Sequence, residues 1–223
     1  MISKVYKCIF IHNFKTGGTS IEKKLGHFDT LERDVQDHRT LREIERLTDR
    51  MHFLRLAAYC AKNGKIGRAQ FHLDKAFSPE LTQNEFKTFY KFSFIRNSWA
   101  RIYSWYANIM KDPMHRQAYK IEGPSYSFKD FLREKIDHKT FSQLYFLQDK
   151  KGKVAMDFIG RFENLQLDFN IVCEALKIED STLPSLLVRK STHYTENYNE
   201  ETKDLVYKLY KEEIDHFGFE YGE

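Results

Sequence analysis

The sequence predicts an α/β fold in which helices cover a parallel sheet. Residues 5–11 and 90–95 are apolar segments with the length of buried strands, and a helical pattern follows each of them. A third strand is expected around Phe158, again before a helical pattern. Strands that alternate with helices are typical of parallel sheets, because parallel neighbours need a crossover connection.

Composition favours a single domain that spans residues 1–223. At 41% hydrophobic residues the chain can bury one sizeable core, and no linker rich in Pro, Gly or Ser divides it. Because no apolar run approaches the length that crosses a bilayer and no signal-type segment is found, we expect a soluble, cytoplasmic protein without a transmembrane segment. Cys8, Cys60 and Cys173 are widely spaced in apolar patterns, which indicates reduced core thiols.

The net charge of +4 is mildly basic. Lys and Arg are interspersed with Asp and Glu along the chain, so nothing indicates nucleic-acid binding. A local positive funnel for a polyanionic ligand accounts for the excess equally well.

Local signals define the elements in order. After a glycine-containing loop at residues 12–20, residues 21–25 continue as a helix. Apolar residues then recur at spacings of three and four, and this pattern predicts one long amphipathic helix over residues 39–62 that ends at Asn63 and Gly64. Thr82 and Glu85 have the spacing of a capping box, which predicts a short helix before the second strand.

Three further helices complete the prediction. Ser127 begins one that runs to about Ile136, and a second has an apolar face between Leu165 and Leu176. The last covers residues 205–217, with Gly218 as its stop signal. Ligands of parallel sheets bind beyond the carboxyl ends of the strands, so we expect the strand-to-helix junctions to form the site.

The first junction has the composition of an anion-binding loop. It reads His12-Asn13-Phe14-Lys15-Thr16-Gly17-Gly18-Thr19-Ser20. The adjacent glycines permit a sharp turn and a close backbone approach, and one lysine and three hydroxyl side chains supply donors at the helix start. A Walker A loop places its lysine after the glycines, so this loop differs from it, and a helix-capping turn with a solvated lysine is the alternative.

The second junction decides between these interpretations. The strand at residues 90–95 leads at once into Arg96-Asn97-Ser98-Trp99-Ala100-Arg101-Ile102-Tyr103-Ser104. Cationic and hydroxyl donors therefore follow both strands, which favours a phosphorylated ligand.

Together these segments resemble the sulfotransferases that use 3'-phosphoadenosine 5'-phosphosulfate (PAPS), most closely the carbohydrate-type branch similar to sulfotransferase family 2, with its many bacterial members. The first junction resembles the family's 5'-phosphosulfate loop, commonly H-[IV]-P-K-T-[GA]-G-T-S, and the second resembles its 3'-phosphate element, R-N-P-x-x-R-x-x-S-x-Y. A third segment, Asp157-Phe158-Ile159-Gly160-Arg161-Phe162-Glu163-Asn164-Leu165, is similar to the family's late strand-to-helix segment. The resemblance spans nearly the whole chain and implies a P-loop-NTPase-like sheet with a helical acceptor-side insertion at residues 39–79.

Two positions depart from the family pattern. Phe14 and Ser98 stand where the family usually has proline. Neither position supplies a side-chain ligand in the family, so we expect altered loop rigidity rather than lost chemistry.

The resemblance implies a role for each matching residue. Lys15 would contact the leaving group during catalysis, and the 5'-phosphosulfate would be surrounded by Lys15, Thr16, Gly17, Gly18, Thr19 and Ser20. Arg96 and Ser104 would hold the 3'-phosphate, a task that suits a forked guanidinium and a hydroxyl.

The sequence leaves two possible roles open for several neighbouring side chains. Arg101 either supports the phosphate site or pairs with a surface carboxylate, and Arg161 either approaches the nucleotide or pairs with a neighbour such as Glu163. The aromatic residues of the second junction are expected to form core and cleft wall, although one of them, or Phe162, is a candidate for stacking on adenine.

Four side chains are candidates for the general base. His72 follows a strand-like run at residues 69–71 and matches a family position on the acceptor side, so it is the first choice. His12, His193 and Asp74 are the alternatives. A histidine base suits neutral pH because its ordinary pKa is near 6.5.

The predicted activity is sulfuryl transfer from PAPS, without a metal, to a hydroxyl on a carbohydrate or glycoconjugate. One alternative is a nucleotide or small-molecule kinase of P-loop type, which should carry a Walker A loop and a carboxylate for magnesium. The other is a nucleotide-binding module without turnover. Acceptor specificity is expected to reside in residues 39–79 and 111–151, where no signature identifies the acceptor or the oligomeric state.

Overall fold

The computed structural model describes residues 1–32, 34–136, 138–186 and 193–223. Its four strands form one sheet in the order β1 (Ile2–Ser3), β2 (Cys8–Ile11), β3 (Tyr90–Ile95) and β4 (Phe158–Arg161). β1 is antiparallel to β2, whereas β2, β3 and β4 are parallel. The predicted mixed α/β architecture with a mainly parallel sheet is confirmed.

Helices connect and cover the strands. In chain order the described residues form α1 (Gly18–Lys24), α2 (Leu41–Arg46), α3 (Arg50–Lys62), α4 (Ile66–Phe77), α5 (Gln83–Thr88), α6 (Ser98–Lys111), α7 (Pro113–Ala118), α8 (Phe128–Glu134), α9 (His138–Phe141), α10 (Gln143–Leu147), α11 (Leu165–Leu176) and α12 (Glu200–Phe217). Short 3₁₀ turns lie at Phe162–Asn164 and Tyr194–Asn197. Within the described ranges, no helix has the length and apolar character that a bilayer span requires.

The alternation of side chains along β2 separates two hydrophobic cores. Cys8 and Phe10 join one core together with residues of α1 and α11, and Ile9 and Ile11 join the other, which is built largely from α2, α6, α8 and α12. Successive side chains of a strand point to opposite faces of the sheet. Helices therefore pack on both faces, and the carboxyl ends of the parallel strands lie at one edge of the sheet.

Local signals gave several elements correctly. β3 has the predicted bounds, and Thr82 and Glu85 form the reciprocal capping box at the start of α5. Ser127 accepts a hydrogen bond from the Asp130 amide and caps α8. Gly218 ends α12 in the left-handed conformation, with φ of 64°, where glycine carries no steric penalty.

The first strand is shorter than predicted. β2 begins at Cys8, because residues 4–7 form the turn that joins it to β1. Lys7 has φ of 50° in this turn, and the Val5 side chain is 84% exposed. Val5 therefore belongs to the turn and not to a buried strand.

The single long helix predicted over residues 39–62 is wrong, because the structure divides this segment into α2 and α3. Thr40 and Glu43 form a capping box at the start of α2, and Asp49 caps α3 by accepting a hydrogen bond from the His52 amide at 2.9 Å. An aspartate whose side chain bonds the backbone two or three residues ahead begins a new helix and interrupts the old one.

The strand-like run at residues 69–71 is also wrong, because these residues belong to α4. α3 and α4 form a helical hairpin and bury Phe53, Ala57, Cys60, Ala69 and Ala76. A short apolar run has no period that distinguishes a strand from a turn of helix. The three cysteines are buried and form no disulfide, as predicted.

Candidate active site

The loop after β2 is fixed to the neighbouring strand. The Asn13 side-chain amide donates to the Ser93 hydroxyl and to the Phe94 carbonyl, both at 3.1 Å. The Thr16 hydroxyl is fully buried and donates to the Asn13 carbonyl at 2.8 Å. Because these bonds occupy the loop's own polar groups, its backbone shape is set before a ligand binds.

Both glycines of the loop are required by close packing. Gly17 has φ of 78°, and a Cβ there would lie 2.7 Å from a methyl group of Leu165. At Gly18 a Cβ would lie 2.1 Å from the His12 ring, far inside van der Waals contact. Lys15 also adopts a left-handed backbone, with φ of 66°. Such conformations cluster at functional sites, where the surroundings enforce them.

The hydroxyl residues at the start of α1 lie in its first turn. Gly17 stands at the N-cap position, and no described side chain caps this turn. Thr19 accepts a hydrogen bond from the Gln36 side chain, and the Ser20 amide donates to the Gly17 carbonyl at 3.1 Å. Amides of an uncapped first turn carry partial positive charge, so they complement an anion.

Arg96, at the carboxyl end of β3, meets this loop. Its Nη1 donates to the Lys15 carbonyl at 3.3 Å, and its guanidinium lies over the Phe162 ring, 4.2 Å from the centroid. Burial lowers the pKa of Arg96 to about 10, although nearby Glu163 opposes this shift. The buried Nε has no hydrogen-bond partner among the described residues. A buried donor without a partner is costly, which is consistent with a site for an anionic ligand.

A buried polar network holds the backbone of Arg96 in place. Gln143 receives a hydrogen bond from the Arg96 amide at 2.8 Å and donates to its carbonyl at 2.9 Å. Glu213 accepts from the Gln143 amide at 2.6 Å, from the Ser98 hydroxyl at 2.6 Å and from Arg101 at 3.2 Å. Arg101 therefore pairs with a buried carboxylate rather than a surface one. Through Glu213 and Gln143 it belongs to the hydrogen-bond network that holds the Arg96 backbone.

Glu213→Gln should destabilise the fold by about 3 kcal/mol, because it leaves the buried Arg101 guanidinium without its counter-charge. Urea denaturation of both proteins measures the difference. Glu212→Gln, on the exposed side of the same helix, is the matched control and should change stability little. Equal stability of the two variants would mean that the buried pair does not hold this region together.

Both departures from the family's prolines have structural consequences. Phe14 stacks on the His38 ring, with centroids 4.0 Å apart, and packs against Trp105 at 5.1 Å. Ser98 uses its hydroxyl to bind Glu213. Proline could make neither contact, so these residues contribute packing and a hydrogen bond besides any change of loop rigidity.

Ser104 and Arg161 have no described hydrogen bond or ion pair with the loop, so their place at the site stays a prediction. Ser104 is half-buried in α6, and no hydrogen bond joins it to Arg96 among the described residues. Arg161 donates to the Phe217 carbonyl at 2.7 Å and approaches Glu223 at 3.6 Å, so its ion-pair partner is not Glu163. Glu163 instead accepts from the Asn97 amide at 2.9 Å.

Three of the base candidates lie on other parts of the molecule or on its surface. His72 is in α4 of the hairpin and stacks near Phe53, with its Nδ1 buried and unbonded among the described residues. Asp74 is an exposed residue of the same helix and accepts from Gln70 at 2.8 Å. His193 is exposed and bonds Thr195, and residues 190–192 before it lie outside the described residues.

His12 lies behind the loop, in the core. Its ring is 3% exposed, and its Nδ1 is 3.3 Å from Glu22. Burial, followed by the charge of the N-terminal ammonium group, lowers the pKa of His12 to about 3. This imidazole is therefore neutral at physiological pH, and it packs between Glu22 and the backbone of Gly18.

His38, which the sequence pattern did not single out, contacts the start of the loop. Its Nδ1 lies 3.0 Å from the His12 carbonyl oxygen. Since a carbonyl can only accept, Nδ1 carries the hydrogen and Nε2 keeps its lone pair. Burial, reinforced by His12, lowers the pKa of His38 to about 4. One signal in the sequence could have drawn attention to His38. Thr40 and Glu43 have the spacing of a capping box, which places His38 just before the start of a helix.

The carboxyl edge of this α/β sheet thus carries a preformed glycine loop, a buried arginine and a neutral histidine. These are the features of an anion-binding site with a proton acceptor beside it.

The comparison with family models agrees with this description. The model described as the sulfotransferase family matches residues 1–220 of the chain. The protein therefore belongs to the sulfotransferase family, which supports the transfer of sulfuryl groups as its general activity. No curated protein sequence and no solved structure matches the chain.

Proposed function

We propose that the protein transfers a sulfuryl group from PAPS to a hydroxyl group of a carbohydrate or glycoconjugate. The observation that carries the proposal is the hydrogen bond from Arg96 Nη1 to the Lys15 carbonyl oxygen, 3.3 Å long, at the carboxyl edge of the sheet. One residue follows β3 and the other follows β2, so two anion-binding junctions converge on one place. Family membership makes a sulfuryl donor the preferred anion.

In the proposed complex, a P-loop-like arrangement holds the donor at two points. The backbone of residues 15–20 surrounds the 5'-phosphosulfate, together with the Lys15 ammonium and the hydroxyls of Thr19 and Ser20. Thr16 contributes only its backbone, because its hydroxyl donates to the Asn13 carbonyl. Arg96 binds the 3'-phosphate, for which its unpartnered Nε is a suitable donor. The Ser104 hydroxyl, in α6, is the second donor that we assign to the 3'-phosphate.

The proposed reaction is an in-line displacement at sulfur. The acceptor oxygen forms a bond to sulfur while the bond from sulfur to the bridging oxygen of the 5'-phosphate breaks, and the acceptor proton passes to a base. Lys15 neutralises the charge that grows on the bridging oxygen. The products are the sulfated acceptor and 3'-phosphoadenosine 5'-phosphate.

We assign the base to His38 rather than His72. His38 contacts residues 12 and 14 of the loop and presents an unprotonated Nε2, whereas the described contacts of His72 are within the hairpin. A base must lie within hydrogen-bond reach of the proton that it accepts, directly or through one water.

The chain should bind 3'-phosphoadenosine 5'-phosphate at least about tenfold more tightly than adenosine 5'-phosphate, since one charge-assisted hydrogen bond contributes roughly 1.5 to 3 kcal/mol. Calorimetry with both nucleotides measures the ratio. Arg96→Ala should abolish this preference, and Arg68→Ala, an exposed arginine of the hairpin, should keep it. Equal affinity for both nucleotides in the unmodified protein would contradict the assignment of the 3'-phosphate site and favour a kinase or another nucleotide-binding protein.

The acceptor and the cytoplasmic location remain proposals from the sequence. A screen with radiolabelled sulfuryl donor across sugars, lipids and small phenols tests the acceptor. Incorporation into phenols alone would overturn the carbohydrate assignment.

A further inference from the structure

The α3–α4 hairpin (residues 50–77) packs largely on itself. Its buried side chains, among them Phe53, Ala57 and Cys60, belong to neither of the two cores that flank the sheet. Arg39 fixes its base, because this guanidinium bonds Asp37 at 2.6 Å before the insertion and Glu80 at 2.9 Å after it. The hairpin is therefore packed apart from the two cores, and the Arg39 bonds connect the segments before and after it, next to His38.

The hairpin exposes an unusual amount of apolar surface. The described residues include eleven large apolar side chains that are exposed, and five of them lie on these two helices: Met51, Tyr59, Ile66, Phe71 and Phe77. Each of the five is between 56% and 67% exposed. Single exposed apolar residues are normal, but a concentration of them marks an interaction surface.

Positive charge is concentrated on the same hairpin. Residues 50–77 contain six Lys or Arg residues and one acidic residue, Asp74, so their formal charge of +5 exceeds the +4 of the whole chain. The remaining residues together are slightly acidic. The basic excess that the composition shows is therefore a local property of this hairpin.

Cations and exposed rings are neighbours on this surface. The Arg50 guanidinium lies over the Phe77 ring, 4.6 Å from its centroid, and the Lys75 ammonium lies 5.8 Å from that of Phe71. A partner that covers the Phe77 or Phe71 ring therefore also meets a cation. Amphipathic helices with this combination lie in the interface of a membrane, where the rings enter the acyl boundary and the cations meet anionic headgroups.

We propose that the α3–α4 hairpin docks the protein on an anionic lipid surface. Negative headgroups complement the six cations, and the acyl boundary accepts Met51, Ile66 and Phe77, which a soluble polyanion would leave in water. The docked hairpin would hold the loop and His38 at a fixed distance from the surface through the Arg39 bridge. This inference does not depend on which acceptor the protein uses.

Co-sedimentation of the full chain with vesicles tests the proposal. Vesicles of phosphatidylcholine with about 30% phosphatidylglycerol should bind the protein, with binding that falls as salt rises, and pure phosphatidylcholine vesicles should bind it much less. Lys62→Gln/Lys65→Gln/Arg68→Gln should weaken binding by about 10²-fold, since each cation near the surface contributes about 1 kcal/mol. The matched control Lys150→Gln/Lys151→Gln/Lys153→Gln removes three exposed lysines elsewhere and should bind as the unmodified protein does.

A second pair of measurements separates lipid from an acidic polymer. Ile66→Ser/Phe77→Ser should weaken vesicle binding at least about tenfold, because buried apolar area is lost, and should leave binding to heparin unchanged. Melting temperatures establish that each variant is folded. Heparin binding without vesicle binding, or equal loss in both charge variants, would overturn the proposal.

Discussion

Lys15→Ala should lower kcat by about 10²- to 10³-fold and change the affinity for the donor much less. The lysine is proposed to act on charge that develops on the bridging oxygen as the bond to sulfur breaks, and loss of one such group costs a comparable factor in other enzymes. Alanine keeps the Cβ of a residue whose φ is 66°, so the backbone conformation need not change. Steady-state kinetics with saturating acceptor measures kcat and the KM for the donor separately.

The chain offers a matched control for this experiment. Lys7 is a lysine with positive φ, at 50°, in the exposed turn between β1 and β2. Lys7→Ala should retain native kcat and KM. If Lys15→Ala kept its kcat and only raised the KM for the donor, Lys15 would be an ordinary binding residue without a role in the transition state.

His38→Ala should lower turnover by about 10²- to 10⁴-fold, the range for a positioned general base, and leave nucleotide affinity nearly unchanged. Burial lowers the pKa of His38 to about 4, so the imidazole is neutral and able to accept a proton at any pH above that value. As the pH falls through about 4 the ring becomes protonated and activity is lost. The acidic limb of kcat/KM should therefore lie well below the roughly 6.5 of an ordinary histidine, and it should flatten in the variant.

His72→Ala provides the comparison, because it removes a histidine of the hairpin that has no described contact with the loop. It should turn over at the native rate. Melting temperatures measured on the same preparations distinguish a chemical defect from partial unfolding. If the histidine has only a structural role, its replacement lowers the melting temperature, and the remaining activity is proportional to the folded fraction of the variant. A folded His72→Ala protein without turnover, beside an active His38→Ala protein, would return the base to His72.

Elements defined by neighbouring residues were predictable from the sequence. The bounds of β3, the Thr82 capping box and the stop at Gly218 depend on contacts within a few residues, and those residues stand side by side in the chain. The loop at residues 12–20 also has a local signal in its glycines and lysine, but it needed the second junction as support, and the anion site that it indicates stays a prediction. Propensity and capping act over one or two turns of chain, so a local pattern is sufficient to identify them.

Errors arose where local signals competed. The apolar spacing between Leu41 and Ala58 is compatible with one helix, yet Asp49 accepts the His52 amide and begins another. Residues 69–71 have the composition of a strand, yet packing against α3 makes them helical. In both cases two conformations were close in local preference, and the tertiary contacts selected one of them.

By itself, the sequence predicted the class of fold and the family correctly, and it indicated a phosphate loop at residues 12–20 that stays a prediction. The second junction had already pointed to Arg96, but only the tertiary structure showed which atoms Arg96 contacts and which buried side chains hold it. Arg96 reaches Lys15 across 81 positions, and Glu213 joins Arg101 across 112. His38 was recognisable only when the fold placed its Nδ1 on the His12 carbonyl. The strand pattern predicts that the two junctions meet at one edge of the sheet, but not which atoms bond there. Those partners are set by burial, because buried polar groups pair with whichever groups the packing brings near them.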